Sequence, residues 1–178
     1  MKKLFMSGML FLSTLILTGC MTLQADPSLL NKTEPNAQPL VKQDYTVEVD
    51  MNDRLARQAT AVGIDKLVYG SLKTALKNAN IFTPNGKGYY KIHAHILQAN
   101  QAAWSMRRFP GTMEIEYTVT DQNSNQIFTK KIFNKGESDK FFFSGSQRHT
   151  RSRIVTASDN VNQFVEAFNE MMKKRSKK

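Results

Sequence analysis

The chain has one cysteine among its 178 residues, Cys20, so no disulfide can staple it internally. Histidine is nearly as scarce, with three copies. None of the patterns GxxxxGK[ST], GxSxG, HExxH or CxxC occurs, which removes the usual nucleotide-binding, hydrolase, metalloprotease and thiol-redox frames. Acidic residues are also few: 15 Asp and Glu stand against 25 Lys and Arg, a formal charge of +10. Beyond the first twenty residues there is no apolar run long enough to cross a membrane. What is present is concentrated at the start. Lys2 and Lys3 are followed by an uncharged, mostly apolar stretch from Leu4 to Leu17, and Leu17-Thr18-Gly19-Cys20 closes it. A basic, then apolar, then small-residue order reads as a secretory signal, and it is short for a membrane span.

The four-residue ending is sharper than a general cleavage site, because it resembles the lipobox of bacterial lipoproteins. That resemblance implies that Cys20 receives a diacylglyceryl group on sulfur, that residues 1–19 are removed, and that the new amino terminus is acylated, with palmitate the expected chain. The sole cysteine then stands where the lipid chemistry needs it. Three acyl chains exceed the two membrane signals that stable attachment requires. Met21 follows the cysteine; in enteric-type lipoproteins an Asp there retains the protein at the inner membrane, so its absence implies an outer-membrane, periplasm-facing location.

Removal of residues 1–19 leaves 159, enough for one core, and lowers the formal charge to +8. Five cations (Lys173, Lys174, Arg175, Lys177 and Lys178) fall within the last six residues, so the chain before them is only mildly basic. An exported chain does not meet nucleic acid. The basic tail suits anionic lipid, lipopolysaccharide phosphate or an acidic protein face, or simply a solvated helix end whose cations favour the helix dipole. Residues 20–44 hold Pro27, Pro35 and Pro39 with several Asn and Gln and show no sustained period; they read as the lipidated terminus and a flexible linker.

From residue 45 to 174 the pattern is that of a folded domain, with 175–178 a basic tail. Tyr45, Val47, Val49 and Met51 alternate as a half-buried strand. A helix is predicted over 53–80 from Ile64, Leu67, Val68, Leu72, Ala75, Leu76 and Ala79, with Gly63 and Gly70 weakening it. Tyr90, Ile92, Ala94 and Ile96 form a second strand; Met113, Ile115, Tyr117 and Val119 a third, facing inward. Gln126 to Lys135 is the returning strand, and Ile127, Phe128, Ile132 and Phe133 on both of its faces suggest that it is central or covered by another layer. A last helix over 151–174 carries Ile154, Ala157, Val161, Phe164, Val165 and Phe168 on one face. The fold class is therefore α+β: a mainly antiparallel sheet of about four strands with two helices on one face, in the order β-α-β-β-β-α.

That order, the lipobox and the closing run Arg151-Ser152-Arg153…Ala157…Asn160-Val161-Asn162-Gln163-Phe164 resemble a group of small envelope lipoproteins. The group comprises the YajG type, the auxiliary lipoproteins of ABC transport systems and the LptE-like lipoproteins. The resemblance implies a non-enzymatic accessory or binding module for a transport or assembly complex, with an envelope protein as partner, no catalytic residues and no cofactor. Two alternatives stay open: a carrier of lipid or glycolipid, and a structural link to peptidoglycan.

Four groups of residues carry candidate chemistry. His93 and His95 share a strand face and could reach one metal, or simply be polar groups on the outer face; the pair lacks a third nearby ligand. Glu114 and Glu116 also share a face, where a cross-strand lysine such as Lys130 would satisfy them. The stretch 99–111 combines Trp104, Met106, Arg107, Arg108 and Phe109, residue types typical of interface hot spots, or else aromatics that plug the core. In Lys140-Phe141-Phe142-Phe143 three consecutive aromatics cannot all point inward, so at least one faces a lid, lipid or partner. Phe142 is expected to be a partner-facing ring. The following Arg148, Arg151 and Arg153 stand at the start of the last helix, placed to grip phosphate or carboxylate or to remain solvated in salt bridges.

Overall fold

The computed structural model describes residues 21–103, 105 and 108–176. The predicted order is observed. Strand β1 spans Asp44–Met51, a single helical turn α1 spans Asp53–Ala56, and helix α2 spans Ile64–Ala79. Strands β2 (Tyr89–Gln101), β3 (Gly111–Thr120) and β4 (Gln126–Gly136) follow, and helix α3 (Gly145–Ser176) closes the chain. The sheet order is β1-β2-β3-β4. The β2–β3 and β3–β4 pairs are antiparallel and β1–β2 is parallel, so the sheet is mixed. The parallel pair needs a crossover, and α2 supplies it.

Alternation decides which side of the sheet the helices cover. Ile92, Ala94 and Ile96 of β2 and Met113, Ile115, Tyr117 and Val119 of β3 are buried against α2 and α3. The helices answer with Leu67, Val68, Leu72 and Leu76 from α2 and Val161, Phe164 and Phe168 from α3. The Phe164 ring stacks on Tyr117 at 4.2 Å, and Phe128 meets Phe168 edge-on at 5.5 Å. The intervening strand residues point to the open face. There Glu48 pairs with Lys91 at 2.7 Å, and the Asp50 carboxylate meets His95 Nδ1 at 2.6 Å and His93 Nε2 at 3.2 Å.

Three expectations are corrected. The helix predicted over 53–80 is broken before Ile64 by Gly63, whose φ of +76° is a left-handed conformation costly for other residues; only 64–79 is the long helix. Strand β4 is an edge strand, not a central one, and only one of its faces is covered: Ile132 is buried beneath α3, but Phe133 lies half-exposed on the open face. Its two-sided apolarity arises because Ile127 and Phe128 lean onto the core end of α3 while Phe133 turns outward. Lys130 stands opposite Tyr117 rather than opposite the glutamates, and Lys131 is the residue across from Glu116.

The largest difference concerns residues 21–43. Composition predicts a flexible linker, yet this segment lies along α2 and α3 as a strap. Leu30 is 1% exposed within the core, and Met21, Leu23, Ala25, Leu40 and Val41 pack on it. The Asn36 amide donates to Ala79 O (2.8 Å) and to Asn169 Oδ1 (2.9 Å), and Asn162 Nδ2 donates to Leu29 O at 2.6 Å. The Pro27–Leu29 turn is started by Asp26, whose carboxylate accepts from Ser28 N at 3.0 Å. Pro27 opens a turn that docks on the helices. Contacts to Arg151, Asn162 and Asn169 follow α3 through 18 residues, about 27 Å at 1.5 Å per residue.

Candidate functional site

Strand register places one set of loops together. β2 ends at Gln101 opposite Gly111, the first residue of β3, and Gly111 pairs with Gly136, the last residue of β4. The stretch 102–110, the loop 137–144 and the amino-terminal turns of α3 therefore emerge at one end of the sheet. β1 runs parallel to β2 and ends beside Ile96, so the turn leading to α2 emerges there as well. Arg108 and Phe109 of the first stretch and Phe141–Phe143 of the second thus share one end, although 32 positions separate Phe109 from Phe141.

A buried polar ladder holds that end to the helix. Asn160 Oδ1 accepts from the Tyr117 hydroxyl at 2.8 Å. Its amide donates to Ile132 O (3.0 Å) and to Asn134 Oδ1 (2.8 Å). Asn134 in turn donates to Thr156 O at 2.9 Å, Thr156 to Ser152 O at 2.8 Å, and Ser152 to the carbonyl of Phe109. Every rung occupies an interior position where an unpaired group would carry a desolvation penalty. Burial also raises the Tyr117 hydroxyl well above its ordinary pKa. Gly136 permits the close approach, since a Cβ there would stand 2.5 Å from Thr156 Oγ1. Asn160 and Phe164, prominent in the closing sequence run, are therefore structural residues of the α3–sheet junction.

Arg151 is almost fully buried and clamps two distant segments. Its guanidinium donates from Nε to Asp139 Oδ1 (2.6 Å) and from Nη2 to Asp139 Oδ2 (2.7 Å), while Nη1 donates to the Asp26 carboxylate. The Arg151 hydrogen bond, helped by Ser28, holds Asp26 down at about 2, and Arg151 likewise lowers Asp139. The partner carboxylates raise Arg151 itself, so it stays charged. From sequence Arg151 could grip phosphate or carboxylate or stay solvated in salt bridges; in the fold it is buried and grips carboxylates of its own chain. Its neighbour Arg153 donates Nη2 to Val62 O at 2.8 Å, and burial lowers its pKa. His149 is lowered as well, by burial first and by Arg153 second.

The exposed part of this end is the aromatic loop. Phe143 is 97% exposed and Phe141 69%, with their rings edge-to-face at 5.7 Å. Phe142, the ring singled out from sequence, is half-buried, and its neighbours are the ones that face solvent. Arg148 organises the loop by donating to the carbonyls of Phe142 and Phe143. It also lies 5.6 Å from the Phe141 ring and 5.9 Å from the ring of Phe109. Phe109 is buried at this end, with its ring against His149 and apart from the main core. Arg108 is exposed and pairs with Glu137. Cys20, Trp104, Met106 and Arg107 lie outside the described residues.

Sequence reasoning missed Asp26, Asp139 and Val62. The two aspartates had no local pattern; their signal is the match of two scattered carboxylates to one buried arginine. On the open face, no group of three or more His, Cys, Asp or Glu among the described residues is placed to hold a metal ion. His93 and His95 share Asp50 as their hydrogen-bonding partner.

No protein-family model and no curated protein matches this sequence. Solved structures do. A Xanthomonas campestris protein of the family model DUF330 superposes with a TM-score of 0.59 at 11% identity, covering 83% of this chain and 95% of that one. The fold is shared. A Caulobacter crescentus chain described as a candidate lipoprotein gives 0.49 at 9% identity, covering 72% and 91%. A minor lipoprotein of Acinetobacter baumannii gives 0.46 at 10% identity, covering 72% and 94%.

Proposed function

We propose that this chain is an envelope lipoprotein, cleaved before Cys20 and held by lipid on that cysteine at the periplasmic side of the outer membrane. Its folded part serves as a non-enzymatic accessory of a transport or assembly complex. The observation that carries this reading is the junction at residue 20: a signal-like run ends in Leu-Thr-Gly-Cys, and Met21, Leu23 and Ala25 already pack on the core. Among the described residues no helix is long and apolar enough to cross a membrane.

A carrier of lipid would need space between the helices and the sheet. Tyr117, Phe164, Phe168, Leu72 and Leu76 fill that space at close to zero exposure, which favours docking over carriage. Mass spectrometry of the purified mature chain tests the anchor: it should begin at Cys20 with acyl chains attached, and Cys20→Ser should carry none. Membrane fractionation then tests location. Purification in mild detergent should retain a stoichiometric membrane protein; release of bound lipid with no protein companion would favour the carrier, and sedimentation with cell-wall sacculi the peptidoglycan link.

A further inference from the structure

The three most exposed large apolar side chains among the described residues are Phe143, Val62 (70%) and Phe141, and all three emerge at the end where the loops meet. The strap starts at this same end. Met21 shares a depression with Gln147, Arg151 and Ile154 of the first turns of α3, and Leu23 lies against Gly63. The residue before Met21 is Cys20. A domain packed from Met21 onward cannot stand off from a lipid on Cys20 by more than the reach of one or two residues, roughly 7 Å of extended chain.

Resting on the lipid-anchor reading, we propose that this end is a second membrane contact. Phe141 and Phe143 enter the headgroup–acyl boundary of the bilayer that holds the Cys20 lipid, and Lys140 and Arg148 meet anionic phosphates beside them. Aromatic side chains backed by cations suit that boundary, and the attraction grows with the apolar area buried and with anionic lipid. The local carboxylates do not oppose it, because Glu137 is paired with Arg108 and Asp139 with Arg151. Among the described residues Lys140 and Arg148 make no ion pair. Arg148 holds the loop carbonyls, so the aromatic tip is ordered before it meets lipid and loses little further freedom on insertion. Once the anchor is in place the contact is intramolecular, and a weak one suffices.

The test uses the full chain, processed in a bacterial host and reconstituted into phosphatidylethanolamine/phosphatidylglycerol vesicles whose acyl chains are brominated. Phe143→Trp reports the proposed contact, and Tyr89→Trp reports the opposite end of the sheet, where β2 begins. Trp104 is common to both, so emission of the parent chain is subtracted. The expected result is a blue shift and loss of emission for Phe143→Trp, with Tyr89→Trp unchanged. If the chain floats with the vesicles and the two reporters are quenched alike, the membrane contact is wrong while the anchor stands, and the loop belongs to a protein partner. If the parent chain does not float, the anchor reading fails and takes this proposal with it. Equal quenching in phosphatidylcholine vesicles would overturn the role given to Lys140 and Arg148.

Discussion

The two ends of the sheet are built on different principles. At the far end, the β3–β4 connection is closed locally: the Asp121 carboxylate accepts from the backbone N–H groups of Asn123 and Asn125 at 2.9 Å, within one turn. Ser124 there takes φ +62°. At the near end, where the strap begins, order depends on contacts between residues far apart in sequence. Arg151 reaches Asp26 across 125 positions, and Ser152 reaches Phe109 across 43. A local turn is insured by its own few residues and can be read from Asp-Gln-Asn-Ser-Asn. A long-range clamp holds loops in a set arrangement, but it fails as a unit when one partner is lost. The near end also carries the exposed aromatics Phe141 and Phe143, so the clamp sets the geometry of the surface they form.

The strap joins the two ends, and removing its buried side chain should produce the largest effect. Leu30→Ala leaves a cavity between α2 and α3 and should cost about 3 kcal/mol, within the range for buried leucine truncations. Urea unfolding of the mature chain measures it. A linker would show no change, so an unaltered midpoint would return residues 21–43 to the flexible role that composition suggests.

Cutting the clamp comes next. Arg151→Met removes the cation and leaves Asp26 and Asp139 facing each other's end of the same site. The expected loss is about 2 kcal/mol, less than for a fully buried pair because both carboxylates still reach water. Limited proteolysis should then cut the chain near residues 21–28 and 137–144, while the 121–125 turn stays protected. Asp121→Ala should do the reverse locally and leave the near end intact. Equal loosening of both ends by Arg151→Met would erase the distinction between them.

Sequence reasoning reached the parts governed by short-range periodicity. Alternation in Met113–Val119 and the three- and four-residue steps of Leu67, Leu72, Val161, Phe164 and Phe168 identify the core directly, because each element presents one face to one layer. It did not reach features set by tertiary partners. The burial of Leu30 depends on a groove that exists only after α2 and α3 pack, and prolines beside it look like a disordered linker from composition alone. The edge position of β4 depends on sheet order, which a strand's own pattern does not contain. Arg148, Arg151 and Arg153 were legible as a cluster, but their division into a loop organiser, a buried clamp and a carbonyl donor follows from what stands opposite each.

The clamp has a pH signature that the far end can be used to isolate. Asp26 titrates at about 2 in the folded chain against an ordinary 3.8, and Asp139 is lowered in the same direction. A lowered folded-state value stabilises above the unfolded pKa, and that contribution disappears as pH falls from roughly 4 through about 2. Stability followed by urea unfolding between pH 5 and pH 2 should decline in the parent chain and decline less steeply in Arg151→Met. Asp121 is lowered too, by its backbone N–H partners, so Asp121→Ala in the Arg151→Met background should remove part of the remaining slope. A parent and an Arg151→Met chain with identical slopes would show that the clamp does not set the acid sensitivity.

The smallest expected effect on stability is also the most informative about the near end. Phe143 is 97% exposed, with its ring edge-on to the exposed Phe141, so the fold gains little from it. Phe143→Ser should change the urea midpoint by less than about 0.5 kcal/mol, as surface substitutions do. A residue kept for packing would behave like Leu30, and one kept for contact outside the chain would not. A large loss on Phe143→Ser would mean that the loop folds back onto the domain and that the near end, like the far end, is closed upon itself. A neutral result leaves an aromatic side chain in water with no structural reason to be there, on a loop whose carbonyls Arg148 holds.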